Sequence, residues 1–448
     1  MNSFLLDLSY WGIRIVNGQA NLYRMKKYFN LSTKLSPLGF ILITLTTSFA
    51  SFASIARNSA PNLKDLLNAA EQLNPTLQIQ ALSVSQSEQD LAIARSAVYP
   101  RINLNSNYTK QDDGGGSLIR TNQRSTFLQL RQPIYQGGRE FAGLDSASYR
   151  IQAEKAEQQI TKIEVSQNLA ILYFELSKQT EVLKLNKELE KLSKDRVQFL
   201  QQRVQIGRAR GSELVAAQAQ LFSVESQIEN NHQLLKDVEN RIFLLTQVKA
   251  PYATQDLSLV WNLKAREAYS LKRDSSPFQL KSNFDLQIAK LEVDSFRANH
   301  KPSLDFSANY YLEREGVFNR AEWDLSFNLT FPLFQGGQTV SEVKRSLLKE
   351  RVSLLDQEQI QRNLAVEIEN FYNAAETGYK QSVKLKQAVE LGLKNYRQTL
   401  REYDLSLVNN LEVIQAMNLY IQYKKDYIIT HFIAWSNLTQ LELLTGNE

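Results

Sequence analysis

Cysteine is absent from the 448 residues, which excludes disulfides, thiolate metal sites and a lipid-anchoring N-terminal cysteine. Histidine and methionine number three each and are scattered, which leaves no material for a metal cluster. Charge of one sign is also in short supply. The formal net charge is +5, and no lysine or arginine run reads as a nucleic-acid footprint. No nucleophile–base arrangement and no ligand cluster can be assembled, so neither an enzyme nor a cofactor is expected. Gln136-Gly137-Gly138 lacks the Lys-Ser/Thr that a phosphate loop needs. Beyond the first 56 residues no apolar run is long enough for a membrane helix, which takes ~20 residues. If the chain crosses a membrane, it must use strands.

What is present begins with an address. Met25-Lys26-Lys27 is followed by the mostly apolar run Leu35 to Leu45 and by small-residue sites such as Ser51-Phe52-Ala53. Basic start, short apolar core and small cleavage motif read as a secretory signal peptide within an N-terminal extension, residues 1–56. Residues 1–24 do not fit that pattern, so translation is expected to start at Met25. A transmembrane anchor is the alternative, for which the apolar core is short.

The chain is organised around two near-copies, Gln132-Pro133-Ile134-Tyr135-Gln136-Gly137-Gly138 and Phe331-Pro332-Leu333-Phe334-Gln335-Gly336-Gly337, 199 residues apart. Each closes a strand-like run and opens a helical one. Pro133 and Pro332 are expected to end the ladder for want of an N–H, and the paired glycines to bend the chain into the helix. Pro277 answers Pro75 and Pro302 answers Pro100 at an offset of 202, while Leu443-Leu444-Thr445 answers Leu244-Leu245-Thr246 at 199. The change in offset falls in the strand hairpin, where a loop varies. Two internal repeats follow. The first is 57–248, with a strand hairpin at 101–131 and a long helix hairpin at 139–248. The second is 277–448, with its hairpins at 303–331 and 338–446. Residues 249–276 between them form a mixed segment with a strand candidate, Leu257 to Trp261.

Within each repeat the periodicity changes from 3.6 to 2 and back. Residues 62–98 read as helix interrupted at Asn74-Pro75. Ile102, Leu104 and Tyr108 oppose Asn103, Asn105 and Asn107. Gln111 to Arg124 reads as a flexible loop, and Ser125 to Arg131 as the second strand. Ser303 to Leu312 and Trp323 to Phe331 alternate in the same way, with Leu325, Phe327 and Leu329 against Asp324, Ser326 and Asn328. From Leu144 to Ile206 there is neither glycine nor proline, enough for a helix of ~95 Å whose leucine seam runs from Leu169 to Val204. A turn framed by Gly207 and Gly211 leads into a second helix, Ser212 to about Val248.

Four strands with one apolar and one polar face suit a lipid-facing, water-lined barrel, although each face would equally pack on helices. Four strands cannot close a barrel, so several copies would have to share one.

This arrangement resembles the TolC-like outer-membrane efflux family over residues ~60–446, nearly the whole mature chain. The features that carry the resemblance are Asn74-Pro75, Tyr99-Pro100, the two corners and the two helix-tip turns. It implies an α + β membrane protein: a homotrimer with four transmembrane strands per protomer in a shared twelve-stranded barrel, standing on a long α-helical coiled-coil tunnel. It implies the outer membrane as location, with the tunnel reaching into the periplasm, and a periplasmic adaptor and an inner-membrane pump as partners in efflux or type I secretion. The alternative from another class is a periplasmic coiled-coil scaffold that never enters lipid.

The tip turns are the candidate site. Glu213 and Glu412 are equivalent in the two repeats. By resemblance an acidic residue at Glu412, and another three residues on, ring the entrance and select cations; here the second position is Gln415. Ser212-Glu213 resembles a hydroxyl–acid pair linked to a tyrosine, and Tyr403 holds the matching position, while Val408 replaces the family's arginine. The plainer reading of Glu213 and Glu412 is as acids favoured at a helix N-terminus. Gly207, Arg208, Arg210, Gly211 and Leu407 are candidates for adaptor docking, the arginines equally for a solvated turn. Trp323, Tyr108, Tyr310 and Tyr311 are expected at the membrane interface, and Trp261 and Trp435 in packing.

Overall fold

The computed structural model describes residues 60–110, 122–258, 261–270, 275–315 and 320–446. The expected extension, signal peptide and Met25 start lie outside the described residues, as does most of the 111–124 loop.

The first helix, α1 (Leu63–Leu73), starts at a capping box in which Asn62 and Asp65 bond each other's backbone N–H. Asn74 then serves two helices. It caps α2 (Pro75–Ser96) by accepting from the Thr76 N–H at 2.9 Å, and its own amide donates to the Leu245 carbonyl at 3.0 Å. The Asn-Pro interruption is therefore a joint between the start of α2 and the end of the helix over Gly211–Thr246. Proline at the first helical position needs no hydrogen bond there.

The strands β1 (Arg101–Lys110), β2 (Asn122–Gln136), β3 (Ser303–Arg314) and β4 (Trp323–Thr330) form one antiparallel sheet in sequence order. The two hairpins are thus joined through β2 and β3, far apart in the chain. β2 is longer at both ends than the expected 125–131, which shortens the preceding loop. Pro133 does not end the ladder: it sits inside β2 opposite Asp305, beside a bulge. The reason is that β1 stops at Arg101, opposite Arg131, so beyond that point β2 has a neighbour on one side only. A proline is tolerated where no second strand awaits its N–H. In the second copy the ladder does stop, at Thr330, two residues before Pro332.

Of the strand candidate at 257–261, the described residues are not in a strand. Leu257 and Ser258 make a turn, the chain at Trp261 is irregular, and residues 259–260 lie outside the described set. Trp261 is held by its ring instead, stacked on Tyr379 at 4.4 Å and edge-on to Trp435 at 5.3 Å. A short helix, α5 (Arg266–Ser270), follows.

Two helices dominate. α3 (Arg139–Gln205) and α7 (Gln338–Asp404) each have 67 residues, a length of ~100 Å. Each returns through a 36-residue partner, α4 (Gly211–Thr246) and α8 (Asn410–Thr445). α3 packs on α2, α4, α6 (Pro277–Arg297) and α8, while α7 packs on α6 and α8. Leu66, Leu169, Tyr173, Ile242 and Phe432 form the main core where α1, α3, α4 and α8 meet. Each side chain of that size contributes ~1.5–3 kcal/mol when buried. A second cluster gathers around Tyr269 and Leu441, and a third, toward the tip, around Leu189, Val224 and Met417. Between α3 and α4 the core also holds a polar pair, Asn186 donating to Asn231 at 2.6 Å, which suits the fixing of coil register.

His431 of α8 is buried beside Tyr427 and Phe432, with its Nε2 atom lacking a hydrogen-bond partner. Burial, with the charge of Lys386 added, pushes its pKa from 6.5 down to about 4. The folded chain keeps this ring neutral while the unfolded chain protonates it near its ordinary value. The contribution to stability is therefore complete above pH 6.5 and is lost as the pH falls toward 4, by up to ~3 kcal/mol. His431→Gln is expected to flatten that limb. Equal losses of melting temperature in variant and wild type between pH 7.5 and 4.5 would reject this.

Candidate functional site: an uncovered sheet and a clasped helix tip

The sheet register sorts side chains onto two faces. One face carries the rows Leu104–Leu128–Tyr310–Trp323 and Ile102–Leu130–Ala308–Leu325, with Phe306 beside Phe327. Among the described residues nothing covers the outer part of this face: Ile102 is 68% exposed, Phe327 69% and Leu329 70%. Helix contact with the sheet is slight and includes α3 against β2, and the exposure of the outer apolar residues disfavours the reading in which each hairpin buries its apolar face on helices.

The opposite face is polar and cross-linked. Asn309 donates to Asp324 at 2.8 Å, Ser307 meets Ser326 at 2.6 Å, and Arg131 pairs with Asp305 at 3.5 Å. Tyr311 belongs to this face, packed on Phe127 at 5.2 Å under the Arg314 guanidinium, whereas its neighbour Tyr310 is on the apolar side opposite Trp323. Alternation forbids both tyrosines from standing at one interface, which corrects the expectation for Tyr311. β1 and β4 are unpaired along their outer edges.

At the corners Gly138 and Gly337 cap α3 and α7 in the left-handed conformation. Gly137 has φ +73° and lies so near the Ala298 carbonyl that a Cβ would come within 2.5 Å of the oxygen. Its counterpart Gly336 has φ +60°, and a Cβ there would meet nothing within 4 Å among the described residues. Pro133 and Pro332 precede these bends within and beyond their strands respectively.

At the far ends of the long helices the two tip turns share one backbone design. In the first, the Arg208 N–H reaches the Arg203 carbonyl at 2.7 Å and the Gly207 N–H reaches Val204 at 3.1 Å. In the second, Leu407 reaches Glu402 and Ser406 reaches Tyr403, each at 2.9 Å. Both are six-residue closures that need one left-handed residue, supplied by Gly207 at φ +69° and by Ser406 at φ +61°. Serine is strained there by ~1–2 kcal/mol and glycine is not. Ser406→Gly is expected to stabilise the protein by ~0.5–1 kcal/mol, read as a higher melting temperature. A lower one would contradict the strain argument.

Arg208, Arg210 and Leu407 are exposed on the turns, and Gly211 opens α4. Glu412 is exposed and engaged in a capping box with Asn409 at the start of α8, so within one protomer it does act as a helix N-terminal acid. Gln415 is exposed one turn further on. Ser212 is exposed, and among the described residues no hydrogen bond joins Ser212 or Glu213 to Tyr403 within the protomer. Tyr403 is engaged instead by Arg196 of α3.

Arg196 is the residue that the sequence reading missed. Its guanidinium lies over the Tyr403 ring at 4.2 Å and the Phe199 ring at 5.3 Å, and Nε donates to the Asn410 side-chain oxygen at 2.9 Å, with a second bond from Nη2. Asn410 and Tyr403 are both buried. Burial pulls the guanidinium below its usual range, and Tyr403, Tyr396 and Glu213 pull it back up. The Arg203 guanidinium also lies over the same aromatic pair, 4.9 Å from the Phe199 ring and 5.1 Å from the Tyr403 ring. Arg196, Phe199 and Arg203 recur at helical spacing, flanking the leucine seam, which is the signal that would have found them.

Further up the same α3–α8 contact, Lys424 bonds Glu188 at 2.5 Å, and the Tyr420 hydroxyl donates to the other Glu188 oxygen at 3.2 Å. Burial works against the charge of Lys424, but Glu188 and Tyr420 outweigh it and hold the pKa above the ordinary value. Two polar clasps therefore join the α3/α4 hairpin to the α7/α8 hairpin.

A four-stranded share of a sheet, apolar outside and polar inside, carried on paired helices with a clasped tip, defines a protomer of a barrel-and-coil membrane protein. The sequence profile of the outer membrane efflux protein family matches residues 66–246 and 269–447, and the chain belongs to that family. It is 23% identical over 330 residues to the outer membrane protein TolC of Salmonella enteritidis, a match covering 68% of this chain and 65% of that one. It thus spans just under two thirds of that relative's length. It is 21% identical over 323 residues to the nickel-cobalt-cadmium resistance protein NccC of Alcaligenes xylosoxydans xylosoxydans, covering 71% and 72% of the two chains. The crystal structure of the Campylobacter jejuni CmeC outer membrane channel superposes with a TM-score of 0.75 at 18% identity, covering 86% of each chain. At that identity the likeness is one of fold.

Proposed function

We propose that three copies of this chain pool their sheets into a twelve-stranded barrel in the outer membrane and their helices into a tunnel that reaches into the periplasm. The assembly is a passive conduit for export, not an enzyme, and is supplied by a periplasmic adaptor and an inner-membrane pump that meet the tip turns. The observation that carries this reading is the sheet: one face apolar and uncovered, the other polar, with both edges open. Open edges cannot face lipid, so the sheet must be completed by further strands, and eight is near the smallest number that closes. A soluble scaffold would leave the same apolar face in water, which disfavours it.

The tip works as the gate in this reading. Glu213 and Glu412, one of each per protomer, face the entrance of the tunnel, and Arg196 with Tyr403 holds the two hairpins together behind them. Gln415 in place of a second acid leaves the entrance less attractive to cations. Arg208, Arg210 and Leu407 offer the adaptor a mixed basic and apolar surface. The test is reconstitution in planar bilayers together with gel migration of unheated samples. Discrete ion-conducting steps from a heat-modifiable trimer are expected, and a protein extracted by salt as a monomer without conductance would end the proposal.

A further inference from the structure

We infer that the seam between protomers pairs β4 of one copy with β1 of the next in a single register, with Asn328 opposite Asn107 and Leu329 opposite Ser106 of the neighbouring copy. This rests on the trimer proposed above and adds the residues of its contact.

The argument uses the internal repeat as a measuring device. β2 corresponds to β4 at the offset of 199 and β1 to β3 at the offset of 202. The map can be checked inside the protomer. Leu104 pairs with Leu128 in the first hairpin, and the map carries that pair to Phe306 and Phe327, which are partners in the second. Ile102 with Leu130 is carried to Leu304 with Leu329, again an observed pair. The two hairpins therefore share one register as well as one pattern.

The contact between hairpins, β2 with β3, is made once within the chain and has no counterpart there, because β4 and β1 are both edges. Its counterpart is the contact between one copy and the next. Gln129 with Asn309 maps to Asn328 with Asn107, Leu130 with Ala308 to Leu329 with Ser106, and Leu128 with Tyr310 to Phe327 with Tyr108. Each mapped pair keeps its side of the sheet. The amide pair on the polar face continues the kind of bonding that Asn309 and Asp324 make, and Phe327 with Tyr108 continues the aromatic row of the apolar face.

A second observation agrees. Gly137 of the first corner is pressed against Ala298, at the foot of β3. The same map sends Ala298 to Ser96, at the end of α2 just before β1. A Cβ on Gly336 of the second corner would meet nothing within 4 Å among the described residues. Leu333 and Phe334 beside it are 86% and 88% exposed, against 53% and 38% for Ile134 and Tyr135 at the first corner. The second corner is bare because what it packs on belongs to another copy.

The absence of cysteine makes the test direct. Cysteine pairs Asn107→Cys with Asn328→Cys, and Ser106→Cys with Leu329→Cys, are placed in the full chain and oxidised with copper–phenanthroline in isolated outer membranes. Directly opposed residues stand ~4.5 or ~5.5 Å apart between Cα atoms, within disulfide reach, whereas diagonal pairs at ~7–8 Å are outside it. At least one of the two adjacent pairs is expected to link more than half of the chain into dimers and trimers on non-reducing gels. The shifted pair Asn105→Cys with Asn328→Cys is expected to link less than a tenth. Gln129→Cys with Asn309→Cys is expected to link within the chain and add no mass. Dominant linking of the shifted pair would overturn the register. Failure of both aligned pairs while glutaraldehyde still captures a trimer would overturn the β4–β1 seam. Failure of glutaraldehyde to capture any trimer would overturn the assembly itself.

Discussion

Arginine in place of Phe327 keeps the protein out of the outer membrane, whereas arginine at the adjacent Asn328 does not. Phe327 lies in the middle of β4 on the apolar face and is 69% exposed in the single chain. In a barrel that exposure is toward hydrocarbon near mid-depth. An arginine there costs ~2–4 kcal/mol per copy, and a trimer bears it three times. Asn328 alternates to the polar face, where a charge meets water. The expected result is loss of the heat-modifiable trimer and of the outer-membrane fraction for Phe327→Arg, with both retained for Asn328→Arg. Insertion of Phe327→Arg at the wild-type level would mean that this face does not meet lipid, and the proposed barrel would fall with it.

That pair of substitutions was legible in the sequence because period-2 alternation needs only local information. Trp323, Leu325, Phe327 and Leu329 already declare a side, and so do the corners, whose glycines and prolines repeat at a fixed offset. Long-range partners were not legible. Nothing near β2 says that it pairs with β3, and so the fate of Pro133 was misjudged: a proline ends a ladder only where a neighbour needs its N–H, and beyond Arg131 that neighbour is missing. Tyr310 and Tyr311 share aromatic character, which suggests one interface, although alternation separates them. At the strand candidate 257–261 the described residues make a turn and an irregular stretch, and Trp261 packs by ring stacking on Tyr379, a partner from another part of the chain that local sequence does not announce. Arg196 was passed over for the same reason. An arginine beside a coiled-coil seam reads as a solvated flank, and its partner Asn410 is 214 residues away.

Removing that arginine is expected to open the proposed tunnel. Arg196→Met keeps the apolar stem that packs near Phe199 but deletes the charge and both bonds to Asn410. Asn410 is 3% exposed, so its oxygen is left buried without a donor, at ~1–3 kcal/mol per copy. Tyr403 loses the cation above its ring, worth a further ~0.5–2 kcal/mol at a partly buried site. Both losses fall on the contact that holds the α7/α8 hairpin to α3 at its tip, while the Glu188–Lys424 clasp higher on the same contact stays intact. The helices therefore have a fixed point to swing from. Conductance of the resting channel in planar bilayers is expected to rise several-fold, and the trimer to keep its heat-modifiable migration. Arg196→Lys restores the charge without the planar fork that bonds Asn410 while stacking on Tyr403, so it is expected to recover only part of the closure. Asn410→Asp supplies a carboxylate to the guanidinium and is expected to lower conductance below wild type. Unchanged conductance in Arg196→Met would leave the clasp a packing detail. A rise that Lys restores completely would assign the effect to charge at the entrance instead of to the bond between hairpins.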